Sequence, residues 1–383
     1  MIRVGFIMQY FDGWQGGRNY YKNLFYAIST LDKPQIEIVV FTGTKMIEKD
    51  KDLFQECSKL IVHKYFDNKS FVNILGRVLN KLLCCPNYYL SRILKQYKID
   101  VLSHSSIRFK NIRTIGWIPD FQHIHLPQFF SEEEINSRNK AFSETIQKSD
   151  GIILSSYAAL NDLNMFTKEQ CNVPVFVLHF VSQPNKKYFE ITNEDKNMLL
   201  QKYGLQETFF YLPNQLWAHK NHITVFKAAK ELKSKGISVC IALTGHLEDY
   251  RNKEHIQFLR NYITDNHLTD NIKILGLIDY EDVFLLIKFS KAVINPSLFE
   301  GWSSTVEECK SVGKSMILSN LAVHKEQYPN AVFFEKEDSA DLAEKLEKYD
   351  EYAKNSTPVF DVRQETMEFA KTYEKIVLDV MNF

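Results

Sequence analysis

Two glutamates eight residues apart, Glu300 and Glu308, stand in the stretch AVINPSLFEGWSSTVEECKSVGKSMILS, residues 292–319. Ser304-Thr305-Val306-Glu307 is a capping-box pattern and predicts a helix start at Ser303 or Ser304. Val306, Cys309 and Val312 then recur every third residue toward a core, and Gly313 marks the stop. Glu300, Gly301, Trp302 and Ser303 therefore precede a helix N-terminus, whose free N–H groups favour an anion such as a phosphate. Glu308 lies one turn inside, on the face of Ser304, and its side chain leans back toward the loop. The loop carboxylate could bond sugar hydroxyls or face a positive transition state, and the helical one could take the paired hydroxyls of a ribose. The plainer alternative is a polar loop with acids placed to suit the helix dipole.

Three other stretches carry chemistry-bearing residues. In PNQLWAHKNH, residues 213–222, Lys220 and Asn221 fall at another helix start, where a lysine can meet the charge on a diphosphate. GWIPDFQHIHLPQFFS, residues 116–131, has no helical period and reads as a structured loop at a strand end, where open α/β sheets bind ligands. Asp120 and His123 there could offer a base or hydrogen-bond donors to a sugar. His123 and His125 invite a metal reading but have no third ligand in view. The alternative for each is a buried, hydrogen-bonded histidine, and His125 is read that way. Asp50-Lys51-Asp52 has the form of a metal-holding acid pair, but it sits in a mixed-charge run and is read as solvated surface.

The elements that must position these residues alternate. Short apolar strands are expected at 2–8, 36–41, 100–104, 113–117, 151–154 and 175–178, then at 209–212, 239–244, 272–275, 292–295, 315–318 and 331–334. Helical periods separate them, so the chain reads as α/β with parallel, doubly wound sheets. Gly16 and Gly17 fall in a loop between the first strand and a helix from about Asn19, without a dinucleotide fingerprint. Gly276, Leu277 and Ile278 follow a strand end, where backbone groups could touch a nucleobase. The linker is expected over 181–195, with a turn at Pro184-Asn185-Lys186. The domains are then 1–185, joined by a terminal helix over 364–383, and 195–363.

Of 383 residues, 45% are hydrophobic and 25% charged, a globular mixture. The 47 basic and 47 acidic residues cancel, so no overall field draws the chain to nucleic acid. The six cysteines show no paired ligand spacing and read as reduced thiols. No signal peptide or membrane-spanning run is read, and the expected location is the cytoplasm. Residues 69–98 hold six basic residues and no acid among apolar residues at helical spacing. Two packed helices with solvated lysines and a basic amphipathic face on an anionic membrane fit this pattern equally.

The string PSLFEGWSSTVEE, residues 296–308, resembles the PSxxEGxxxxxxE signature of glycosyltransferase family 4, and PDFQHIHLP and HKNH resemble motifs of a bacterial subset of it. The resemblance implies a GT-B fold: two Rossmann-like domains facing a cleft, with a terminal helix crossing back to the first. It implies a retaining, metal-independent transferase without a cofactor, moving a hexose from a nucleotide-diphosphate sugar to a glycan or lipid-linked acceptor in surface-polysaccharide assembly. The donor would dock on the second domain and the acceptor on the first. By position, Glu300 would hold sugar hydroxyls and oxocarbenium charge, and Glu308 the ribose. Lys220, with the amides near Gly301, Trp302 and Ser303, would stabilise the diphosphate. Asp120 and His123 would lie near the transferred sugar or the acceptor, and Gly16 and Gly17 near the donor phosphates or the acceptor. Retention is implied to proceed by attack on the leaving-group face, the departing phosphate taking the proton. The family places an arginine five residues before the lysine; Gln215 stands there instead. Two rivals are a non-catalytic subunit of the same fold and a nucleotide-sugar epimerase, which would alter a free sugar rather than form a glycosidic bond.

Overall fold

The computed structural model describes residues 1–8, 15–184, 186–249, 251–355 and 360–383. Asn185, in the expected turn, lies outside them. The described chain forms two compact units: Met1–Pro119 with Asn136–Ser182 and Val362–Phe383, and Asp120–Ile135 with Gln183–Asp361. Residues 120–135 thus group with the second unit.

The first unit is built on β1 (Ile2–Met8), β2 (Ile36–Thr42), β3 (Lys59–Val62), β4 (Val101–Ser103), β5 (Arg113–Ile118), β6 (Gly151–Leu154) and β7 (Val175–Val177). They form one parallel sheet in the order β3-β2-β1-β4-β5-β6-β7. β3 has no counterpart in the sequence reading. It is an edge strand with a single buried residue, Ile61, too short and exposed to carry a period. Helix Gln15–Ser29 starts earlier than expected, so Gly16 and Gly17 lie in its first turn rather than in a loop. Asp50 is not solvated surface: it is ion-paired to Arg18 of that helix, whose Nη2 donates to Asp50 Oδ1 at 2.6 Å.

The terminal helix Val362–Asn382 packs on this unit through Phe369, Ala370, Tyr373, Ile376, Val377 and Val380, one stripe at helical spacing. The Tyr373 hydroxyl donates to Ser103 Oγ at the end of β4, 2.8 Å away. Gly151 opens β6 because a Cβ there would meet Val380 Cγ2 at 2.8 Å.

The second unit holds β8 (Phe210–Leu212), β9 (Ile241–Thr244), β10 (Ile272–Gly276), β11 (Val293–Asn295), β12 (Met316–Ser319) and β13 (Val332–Phe334). Its parallel sheet has the order β10-β9-β8-β11-β12-β13. Both faces are covered by apolar clusters, one around Leu212, Phe226, Ile294 and Leu342, the other around Tyr211, Val293, Val306 and Leu318. Burial on both faces explains why these strands read as continuous apolar runs. The strand order reverses between β8 and β11, and ligands of such sheets bind beyond the carboxyl ends of the strands at that point. The segments that follow those two ends are 213–222 and 296–303.

Candidate functional site

Both segments leave their strands through a buried asparagine. Asn214 Nδ2 donates to Asn295 Oδ1 at 3.0 Å, and Asn295 Nδ2 donates to Ser303 Oγ at 3.0 Å. The Ser297 hydroxyl bonds Asn295 Oδ1 at 2.7 Å and Glu300 Oε1 at 2.6 Å. Thr305 Oγ1 lies 3.4 Å from Asn214 Oδ1, tying helix Ser304–Ser311 to the end of β8. Buried amides fully engaged in this way hold a loop in one conformation.

Lys220 ends a short 3₁₀ turn, Ala218–Lys220, and Asn221 is the N-cap of helix His222–Ser234 in the left-handed region, φ 55°. Asn221 Nδ2 donates to Pro296 O at 3.2 Å, and Leu298 N to His219 O at 2.8 Å. With the loops stitched together, Lys220 Nζ reaches Glu300 Oε1 at 2.6 Å. Burial works to raise the Glu300 pKa, but the Lys220 ammonium, His324 and the Ser297 hydroxyl together outweigh it and bring it down to about 2. Glu300 is therefore ionised at neutral pH. Removing one partner of such a mostly buried pair costs about 3–5 kcal/mol, because the other charge is stranded.

Helix Ser304–Ser311 begins where expected, but the capping box does not form: the side chain of its N-cap, Ser303, makes no capping hydrogen bond. Glu307 turns inward instead, accepting from Gln327 Nε2 at 2.8 Å and Lys310 Nζ at 3.0 Å. Gln327 also takes the Ser303 N–H at 3.1 Å and donates to Ser303 O at 2.8 Å. The Ser303 amide, expected to face a diphosphate, is thus engaged by Gln327. Glu308 is partly buried and its carboxylate has no hydrogen-bond or ion-pair partner among the described residues; burial pushes its pKa up to about 7.

The 120–135 segment lies on this unit. Asp120 Oδ1 accepts from Gln122 N at 2.9 Å, opening a short helix, Gln122–His125. The expectation for His125 is overturned: it is exposed and lies 5.1 Å from the Phe299 ring, whereas His123 is the buried one, its ring edge-on to Phe130. Exposure follows from the short helix, which turns alternate residues to different sides. Phe130 also carries the Arg251 guanidinium, 4.3 Å from its ring centroid. Arg251, His219, Asp249 and Glu134 line a cavity of about 520 Å³ beside Lys220. Burial first, then Lys220 and Arg251 against the pull of Glu300, holds His219 down to about 3, so it is neutral.

The remaining expected residues are more scattered. The Gln215 side chain is partly buried with no bonded partner among the described residues. Gly276 sits at the end of β10, φ 72°, its carbonyl accepting from Gly245 N at 3.0 Å, and Ile278 packs into the apolar cluster around Tyr211. Trp302 and Ser304 flank the Ser303 network, partly buried. Gly16 and Gly17 belong to the first unit. Sequence reasoning missed Asn214, Asn295, Ser297, Gln327 and Arg251. The first two had a legible signal, a polar amide at or just past the carboxyl end of an apolar strand.

Residues 196–355 match the family model described as glycosyl transferases group 1. No significant match is found among curated proteins. Among solved structures, a glycosyltransferase from Rickettsia africae ESF-5 superposes with TM-score 0.65 at 15% identity, covering 99% of this chain and 97% of that one. The sucrose-phosphate synthase of Thermosynechococcus elongatus gives 0.62 at 13%, covering 99% and 97%. The lipopolysaccharide outer core galactosyltransferase WaaB gives 0.60 at 14%, covering 99% of each chain. These likenesses show the fold: two Rossmann-like parallel-sheet domains of the kind found in GT-B glycosyltransferases. The chain is a glycosyltransferase whose second unit carries a glycosyl transferases group 1 domain.

Proposed function

We propose that the chain is a retaining, metal-independent enzyme that moves a hexose from a nucleotide-diphosphate sugar to a glycan or lipid-linked acceptor in surface-polysaccharide assembly. The observation that carries this is the Lys220–Glu300 pair at the reversal point of the group 1 domain, with Glu308, which has no partner among the described residues, on the adjoining helix. The donor diphosphate draws Lys220 to itself and frees Glu300 for sugar hydroxyls and for the positive charge of the transition state. Glu308 takes the ribose hydroxyls. Asp120 and His123 position the acceptor. Arg251, from a different element, supplies the second positive charge that Gln215 does not. The likeness to the lipopolysaccharide enzyme WaaB supports the polysaccharide setting, and the reading includes a cytoplasmic location with a peripheral membrane contact through residues 69–98.

The test is a panel of nucleotide sugars offered to the purified protein with EDTA present, repeated for Glu300→Gln and Lys220→Ala. One donor is expected to bind and hydrolyse slowly, with turnover reduced by about 10²-fold or more in either variant. Tight binding without turnover, even with lipid-linked acceptors, would favour a non-catalytic subunit. An altered free sugar would mean an epimerase.

A further inference from the structure

Helix Phe71–Leu82 is mounted with its polar side inward. Asn73 Nδ2 donates to Tyr65 O at 2.7 Å, and Asn80 Oδ1 accepts from Tyr89 N at 3.0 Å. Gly76, between them, is buried so closely that a Cβ would meet the Tyr65 ring at 2.7 Å. Asn73, Gly76 and Asn80 are spaced three and four apart and define the packing side. The opposite side carries Phe71, Ile74, Leu75, Val78 and Leu82, again at helical spacing. All five are exposed, Phe71 at 79% and Leu82 at 73%. A helix on a water-facing surface buries its apolar stripe, and the neighbouring helix Tyr88–Gln96 does so, through Leu90, Ile93 and Leu94. Two hydrogen bonds and a glycine contact fix the first helix the other way round.

We infer that this outward stripe docks on an anionic lipid bilayer, seated at the boundary between headgroups and acyl chains. Charge selects the occupant. Lys69, Arg77, Lys81, Arg92, Lys95 and Lys98 are all exposed, and no acid interrupts residues 69–98. Arg92 and Lys95 line a cavity of about 570 Å³ with Tyr89, Tyr97 and His63, a setting of cations and tyrosines suited to a phosphate headgroup. A second copy of this chain on the same face would bring like charges together. No described helix is long and apolar enough to cross a membrane, so the contact is interfacial. The inference deepens the membrane contact of the proposed function and does not depend on the transfer chemistry.

The experiment is co-sedimentation of the full chain with vesicles of equal parts phosphatidylcholine and phosphatidylglycerol, against phosphatidylcholine alone. The wild type is expected to bind the anionic vesicles, less as salt is raised, and F71E/L82E to bind at least about tenfold more weakly. K69Q/K81Q should lose binding to the anionic vesicles by a smaller factor. Donor hydrolysis in solution, read on the same preparations, should be unchanged in F71E/L82E, which both confirms folding and separates this inference from the transferase reading. Absence of vesicle binding, or equal binding by F71E/L82E, would overturn it. So would concentration-dependent self-association without vesicles that F71E/L82E abolishes, since the stripe would then serve a second copy.

Discussion

Glu300 and Glu308 are the same side chain eight residues apart, and their surroundings drive them in opposite directions. Glu300 is bonded to Lys220 and Ser297 and stays ionised, whereas Glu308 has burial alone and titrates near neutrality, at about 7. For Glu308 the folded pKa lies above the unfolded one. The folded state therefore holds a proton that the unfolded state has lost, and stability falls as pH rises from about 4.5 to about 7. Glu308→Gln should remove this decline in a series of urea unfolding midpoints. If the ionised carboxylate accepts from the ribose, donor affinity should rise over about pH 6 to 8 in the wild type and be flat in the variant. A pH-independent wild-type affinity would separate Glu308 from donor binding.

At the scale of elements, the site depends on how closely strand ends approach one another. Gly245, just past β9, has φ 136°, and a Cβ there would meet Asn214 O at 2.7 Å and Gln215 Cα at 2.9 Å. Gly245→Ala should force the 213–216 segment away from β9, costing about 2–3 kcal/mol and raising the donor KM. Gly236→Ala is the control: φ is also positive, at 76°, but nothing lies within 4 Å, so about 1 kcal/mol of backbone strain is expected with the KM unchanged. Thermal unfolding and donor kinetics of the two variants distinguish close approach from strain. The close approach of Gly245 to Asn214 and Gln215 is not legible in sequence, because it joins residues 30 or more positions apart.

At the scale of the whole chain, the first unit is completed by its last residues. The stripe from Thr366 to Val380 is buried against that unit, while Met381, Asn382 and Phe383 are not. A chain ending at Asp361 should expose the apolar surface around Tyr373 and aggregate on expression. A chain ending at Val380 should keep its melting midpoint, the difference being within about 0.5 kcal/mol. Soluble yield and thermal unfolding check both.

Local pattern alone determined much of this protein. Strands buried on both faces are continuous apolar runs, so among the described residues twelve of the thirteen strands and their helical spacers could be read directly, and only the exposed edge strand β3 escaped. Glu300, Glu308 and Lys220 were legible because loop, glycine and helix start follow one another along the chain, at fixed spacing. What only the tertiary structure decided depends on groups distant in sequence. The Lys220–Glu300 bond spans 80 residues, Gln327 captures the Ser303 amide from 24 residues away, and Arg251 reaches Phe130 from another element. Helix Phe71–Leu82 makes the same point most plainly. Its period shows an apolar face in sequence, but a period is blind to rotation, and only the bonds from Asn73 and Asn80 to neighbouring backbone turn that face outward.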